Sequence, residues 1–332
     1  MKPQLKKYEY QSCLSPYIEG LLKMKRDCGY TYNAEAYVLL RLDKYCTDAG
    51  LETPVLTKSF LEPWMQCAGS EKASSRNHRV YCYRQLAIYM CALGLSAYIP
   101  VDFISEPETI PYILSSEDII DFFDKVDTRI PGSNRPVWDR YTLEYKLIFR
   151  LYISLGLRNS EARNLQWQDV DLNGGAIKII ESKGDKTRIV YLPDDLRSLF
   201  IDYQQLLFNK FSAACDWVFP GSSLDIPLSA ISVTRNFNAF WSKTSAAEKS
   251  TKKPTVHSLR YTYVVNRINS WMKAGVKVEA MMPYLVVWLG HSGKDETYYY
   301  FHAIEDSLRI CQSRDLFNTS AIPEVKAYGS NI

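Results

Sequence analysis

Leu289-Gly290-His291-Ser292-Gly293-Lys294-Asp295-Glu296-Thr297-Tyr298-Tyr299-Tyr300-Phe301-His302 is the stretch on which the reading of this chain turns. It places two of the four histidines and a run of three tyrosines in one short segment. Upstream, Val278 to Leu289 reads as a helix and Gly290 as its stop, so His291 follows the cap directly. Thr297 then opens the last helix. A third histidine stands in His257-Ser258-Leu259-Arg260, within a helix expected over 254–273. Their i and i+3 spacing puts His257 and Arg260 on one face. An imidazole exchanges a proton near neutral pH, and a guanidinium forks onto two phosphate oxygens.

Two upstream pieces suit the same chemistry. Leu157-Arg158-Asn159-Ser160-Glu161 puts Arg158 just before a helix start, where backbone N–H groups and a guanidinium converge as they do around a phosphate. Glu161 supports that first turn and is placed to orient Arg158. Residues 176–192 alternate apolar and polar around Ser182-Lys183-Gly184-Asp185-Lys186, which reads as a β-hairpin with Lys183 at its tip. Each signal alone also fits an ordinary surface residue. Together they supply what attack on a phosphodiester needs without a metal: cations around phosphorus, an acid for the leaving oxygen and a nucleophile. Arg158 and Arg260 are the cations. His257 and His291 either hydrogen-bond the non-bridging oxygens or move the nucleophile's proton, and Lys183 protonates the departing oxygen. The nucleophile is a tyrosine, whose hydroxyl pKa of about 10 must be answered by that cationic field.

Composition agrees with a polyanionic partner only through its distribution. The net charge of +3 is too small to announce one. Residues 235–275, however, hold eight basic groups against one acidic, and 102–127 hold eight acidic against one basic. A basic field around His257 and Arg260 suits nucleic acid, with Lys252 and Lys253 as candidate contacts, although a solvated lysine-rich loop has the same composition. Arg76, Arg79 and Arg84 share one predicted helix and form a candidate face along phosphates, or an exposed helix side. The eight cysteines make no CxxC pair and no zinc-ligand spacing, so free, mostly buried thiols in a reducing compartment are expected. The longest uncharged run, 86–101, falls short of the ~20 residues a membrane span needs.

The chain reads as mainly α with a small β-hairpin, an α+β protein in two domains. Residues 1–13 are expected as a loose arm and 14–98 as a compact helical domain. Residues 99–114, with Pro100, Pro107 and Pro111, read as the linker, 115–318 as a catalytic domain and 319–332 as a tail. Helix starts are expected at Asn33, Thr57, Ser74 or Ser75, and Ser115.

The order of these pieces resembles the tyrosine recombinase (phage integrase) family. The matching residues are Gly156 to Glu161 with Leu165-Gln166-Trp167-Gln168-Asp169-Val170, Ser182 to Arg188, His257 to Arg260, and Leu289-Gly290-His291 through His302. The resemblance implies Arg158 and Arg260 as the phosphate clamp, Lys183 as the hairpin acid, and His257 and His291 as the active-site histidines. It implies Tyr300 as the nucleophile, nine residues after His291, with Glu161 and His302 in support and Lys186 and Arg188 as further DNA contacts. Residues 14–98 resemble the family's helical core-binding (SAM-like) domain in size and character. Tyr261 departs from the pattern, standing where many relatives carry another histidine.

The implied function is site-specific recombination or integration of DNA, serving a mobile genetic element, through a 3′-phosphotyrosyl intermediate. The implied partner is double-stranded DNA carrying specific sites. The implied assembly is a homo-tetramer on synapsed DNA and a monomer or weak oligomer when free. The tail would dock on a neighbouring subunit, and there is room for an accessory directionality protein. Neither ATP, metal nor other cofactor is required, and the location is cytoplasmic, on the bacterial nucleoid. A type IB topoisomerase shares the tyrosine chemistry, and a DNA-binding relative with a decayed site would share the fold. Motif order and the helical first domain favour the recombinase over the former, and the complete residue set favours it over the latter.

Overall fold

The computed structural model describes residues 5–105, 111–130, 132, 136–180, 187–211 and 215–291. The chain divides into two compact units, Met1–Thr109 and Ile110–Ile332.

The first unit holds four helices: α1 (Ser15–Asp27), α2 (Asn33–Asp48), α3 (Lys58–Met65) and α4 (Ala73–Ala92). Their apolar faces repeat at helical spacing and meet in one core, with Ile18 and Leu21 of α1, Leu39 and Leu42 of α2, Leu61 of α3 and Tyr83, Leu86 and Met90 of α4 fully enclosed. Thr57 caps α3 by accepting the Phe60 N–H, as its position predicts. Two boundaries differ from expectation. Tyr32, with φ of 48°, precedes α2, so Asn33 is its first residue rather than its cap. Helix α4 starts at Ala73, with no side-chain cap, instead of at Ser74 or Ser75.

Residues 5–12, expected as a loose arm, are tied down. The buried Asp43 carboxylate of α2 accepts the N–H groups of Gln11 and Ser12 and the Ser12 hydroxyl, and Tyr10 donates to the Ala36 carbonyl. A carboxylate buried on α2 needs such donors, and among the described residues the chain ahead of α1 supplies them. Of the seven described cysteines, all free, only Cys46 and Cys82 are buried, so the expectation of mostly buried thiols is not met.

The second unit is built on α6 (Pro136–Leu155), which follows α5 (Ser116–Asp127). Ser115 and Asp118 close a reciprocal capping box at the start of α5. Short α7 (Asn159–Arg163) and a 3-10 turn (Trp167–Asp169) lead into an antiparallel sheet of β1 (Val170–Asp171), β2 (Ala176–Ile180) and β3 (Thr187–Tyr191). Then come α8 (Asp194–Phe211), α9 (Ala230–Trp241), the unforeseen α10 (Ser245–Lys249), α11 (Val256–Lys273) and α12 (Val278–Leu289). Helix α6 packs against α5, α8 and α11. Phe149 of α6 meets Phe122 of α5 and Phe237 and Phe240 of α9 in an enclosed aromatic cluster. Each such ring contributes roughly 1.5–3 kcal/mol on burial. The register pairs Ile177 with Val190 and Ile179 with Arg188. Ile177, Ile179, Arg188 and Val190 therefore point inward, and Ile180, Ile189 and Tyr191 outward.

Within α6, Arg140 and Glu144 lie 3.8 Å apart with side chains 1% and 0% exposed. Neither Glu144 oxygen has a hydrogen-bond partner. Burial accordingly raises the Glu144 carboxyl to about 8, against the opposing pull of Arg140.

Gly156 turns the chain out of α6 with φ of +65°, and a Cβ there would lie 2.5 Å from a Tyr263 ring atom and 3.1 Å from Leu289. The left-handed backbone and the ring both require glycine. Gly156→Ala is expected to destabilise the second unit by ~2 kcal/mol or more in urea unfolding. Gly275→Ala, which shares the positive φ but whose Cβ would meet nothing within 4 Å, should cost clearly less.

Candidate active site

Helix ends create the site. The last carbonyls of a helix lack N–H partners and carry partial negative charge, so they attract cations. Helix α6 ends at Leu155 and α12 at Leu289, with Gly290 as a left-handed cap at φ 65°. Arg260 of α11 reaches both ends: its Nη1 donates to the Gly156 carbonyl at 2.5 Å and its Nη2 to the Leu289 carbonyl at 2.9 Å. Arg158 donates to the Gly290 carbonyl at 2.5 Å. Arg188 donates through Nε to the Trp288 carbonyl at 2.7 Å. The Trp288 indole in turn donates to the Leu155 carbonyl at 2.9 Å.

One carboxylate gathers the three arginines. Glu161 accepts Arg188 on both oxygens, at 2.9 and 2.8 Å. It accepts Arg158 Nη1 at 3.0 Å and the Arg158 backbone N–H at 2.8 Å. Arg260 stands 4.0 Å away. Burial of Glu161 would raise its pKa, but the Arg188 hydrogen bonds and charge, the Arg158 N–H and the Arg260 charge together hold it below the ordinary carboxylate range.

His291 follows Gly290 and is 9% exposed. Its Nε2 lies 2.9 Å from Arg260 Nη2. A guanidinium can only donate, so Nε2 accepts and the ring proton of this neutral imidazole sits on Nδ1. His257 opens α11 behind a Thr255–Ser258 capping box. Its ring meets Tyr261 edge-on, with centroids 4.7 Å apart. Desolvation by the atoms around it, then the charges of Arg260 and Arg158, lower its pKa from 6.5 to about 4. The residue is nevertheless exposed by surface area, so water tempers the first of these causes and the two guanidiniums are the firmer one.

Arg158, Glu161, Arg260 and His291 thus converge, and His257 lies near enough to feel the charges of Arg260 and Arg158. Arg158 is 31% exposed at its side chain and Arg260 only 1%, so Arg158 presents the accessible guanidinium. Lys183, Lys186, Tyr298, Tyr299, Tyr300, His302 and the tail 319–332 lie outside the described residues. Lys252 and Lys253 are exposed just ahead of α11.

The remaining sequence expectations need correction. Arg188 is not a surface contact for DNA. Its side chain is 8% exposed and bound to Glu161, because the strand alternation that buries Val190 also buries position 188. Arg79 is likewise turned inward, 5% exposed, paired with Glu71 at 2.6 Å and stacked over Trp64. Arg76 is half-buried and donates to the Met65 and Asp102 carbonyls, and Arg84 donates to that of Pro100. These three guanidiniums secure the chain following α3 and α4 rather than presenting one open basic face. Nor does α7 offer a phosphate-binding N-terminus. It is five residues long, and the Arg158 N–H is taken by Glu161.

The comparisons agree with this geometry. The model of the phage integrase family matches residues 119–306. A putative integrase/recombinase of Sinorhizobium fredii is 25% identical over 309 residues, covering 92% of this chain and 96% of the relative. The tyrosine recombinase XerD of Haemophilus ducreyi is 25% identical over 248 residues, 72% of this chain and 74% of its own. Among solved structures, the XerH site-specific recombinase bound to its difH substrate before cleavage superposes with a TM-score of 0.63 at 17% identity, covering 93% of this chain and 99% of that one. The chain belongs to the phage integrase family of tyrosine recombinases, and is a site-specific recombinase that breaks and rejoins DNA. No helix among the described residues is long and apolar enough to cross a membrane.

Glu161→Gln should destabilise the second unit by about 3–5 kcal/mol at neutral pH, because it leaves buried arginines without their counter-charge. The folded pKa of Glu161 is depressed, so its contribution is complete above the unfolded carboxylate pKa and is lost as pH falls through the folded value. Urea midpoints of variant and wild type should therefore converge toward acid pH. For His257, the imidazole NMR resonance should titrate below 6.5 in the free protein, and Arg158→Ala should move it back up.

Proposed function

We propose that this recombinase exchanges strands through Tyr300, with Arg158 and Arg260 clamping the scissile phosphate. The observation that carries the reading is the convergence of Arg158, Arg260 and His291 from three distant stretches of chain onto the paired ends of α6 and α12. The two guanidiniums offset the charge that grows on a phosphorane's oxygens, and the two neutral imidazoles gathered there can hydrogen-bond those oxygens or take a proton.

In the proposed sequence, the Tyr300 oxygen attacks phosphorus and its proton passes to an imidazole. His257, held neutral, is in the form that can accept it. The bond to the 5′ oxygen breaks, and Lys183 protonates that oxygen as it leaves. A 3′-phosphotyrosyl ester and a free 5′-hydroxyl result. The 5′-hydroxyl of a partner strand then attacks the ester, returning the phenol. Ester-bond energy is conserved throughout, so no nucleotide is consumed. The family resemblance supports a homo-tetramer on two synapsed duplexes that is a monomer or weak oligomer when free. It also supports service to a mobile element on the bacterial nucleoid, with an accessory protein setting direction. The integrase/recombinase names of the relatives favour the mobile element.

A nicked suicide duplex carrying the recombination site traps the covalent adduct, and peptide mapping identifies its tyrosine. Tyr300→Phe should abolish the adduct and leave DNA binding intact, while Tyr298→Phe and Tyr299→Phe should still cleave. Arg158→Ala should slow adduct formation by about 10²-fold or more. An adduct that persists in Tyr300→Phe would overturn the assignment.

A further inference from the structure

Arg188 is the one arginine of the cluster that the chemistry above leaves without a task. It takes both oxygens of Glu161 and, through Nε, the carbonyl of Trp288. No other arginine here forks onto the carboxylate. The Arg158 guanidinium gives one nitrogen to one oxygen, its backbone N–H taking the other, and Arg260 stands at 4.0 Å. A forked contact fixes both the position and the plane of a carboxylate, which a single contact does not. The Arg158 backbone N–H ties Glu161 locally, and the Arg188 fork from β3 fixes the same two oxygens, so the Arg158 guanidinium shares Oε1 with Arg188 and depends on where that fork holds it. The same guanidinium holds the Trp288 carbonyl. The next two carbonyls along the chain, of Leu289 and Gly290, are those that receive Arg260 and Arg158.

We infer that Arg188 is a positioning residue of the phosphate clamp, acting on Arg158 through Glu161 and on both clamp arginines through the 288–290 backbone. The inference rests on the reading of Arg158 and Arg260 as that clamp. The three Arg188 nitrogens are directed at Glu161 and the Trp288 carbonyl, with its charge set against the carboxylate, so its influence on cleavage passes through the residues it holds.

The test separates clamp geometry from general stability. A DNA site whose scissile phosphate is replaced by a neutral methylphosphonate has lost one anionic oxygen and depends less on a well-placed cation. A loosened clamp therefore slows cleavage of the phosphate far more than of the methylphosphonate, whereas partial unfolding slows both alike. The full-length protein is compared as wild type, Arg158→Ala, Arg188→Lys and Arg188→Met on nicked suicide duplexes of both kinds, with thermal melts alongside. Arg188→Lys keeps the charge beside Glu161 and loses the fork, so it carries the result if Arg188→Met does not fold. The expected outcome is a roughly 10–100-fold loss for Arg188→Lys on phosphate, with a much smaller loss on methylphosphonate, the pattern Arg158→Ala also shows. Equal losses on both substrates, no loss on phosphate, or failure of Arg188→Lys to fold would overturn the inference. If Arg158→Ala itself shows no relief on methylphosphonate, the clamp reading fails instead.

Discussion

Glu161 keeps its negative charge in a place where burial opposes it, and the rest of the catalytic unit is arranged so that it can. Taking a carboxylate out of water costs several kcal/mol after relaxation, which only close, hydrogen-bonded cations offset. Arg158 at the cap of α7 and Arg188 of β3 meet that demand, and Arg260 of α11 adds its charge from 4.0 Å. Their convergence gives the carboxylate a structural consequence beyond its own turn. The sheet, the first turn after α6 and the long helix α11 are all referred to one pair of oxygens.

The guanidiniums need acceptors on their other nitrogens, and here the helices contribute through their ends. Helices α6 and α12 finish with carbonyls that their own backbones cannot satisfy. Gly156, Trp288, Leu289 and Gly290 each give one to an arginine. The glycines are there for shape: a left-handed turn at Gly156 or Gly290 aims the preceding helix end at the cluster, and at Gly156 the Tyr263 ring leaves no room for a side chain. Chemistry and chain reversal are thus carried by the same residues.

The residue types of the cluster were legible, and so were several elements. Ser115 with Asp118, Thr57, Gly275 and Gly290 announce helix ends by local chemistry, and the alternation of Ile177, Ile179 and Val190 announces the hairpin. The acceptors around the arginines were not legible, because a backbone carbonyl has no residue type. Arg188 points inward, against what the resemblance implies, and its parity with Val190 in β3 already marks that position. Arg79 carries no such mark. Its partners, Glu71 and Trp64, lie before α4 and on α3, and nothing within α4 itself records them. The hold of Asp43 on Gln11 and Ser12 spans about thirty residues and has no local signature either. Helix α10 escaped because five polar and small residues show no periodicity.

The Arg140–Glu144 pair has a consequence of its own. Two enclosed carboxylates in one unit respond to proton activity in opposite directions. Glu161 sheds its proton more readily on folding, whereas Glu144, raised to about 8, takes one up across the interval from 4.5 to that value. Rising alkalinity therefore weakens the interior of α6 while leaving the arginine cluster intact, and acidification does the reverse. The proton inventory of this domain is balanced between its scaffold and its site, and the two carboxylates together favour mildly acidic surroundings.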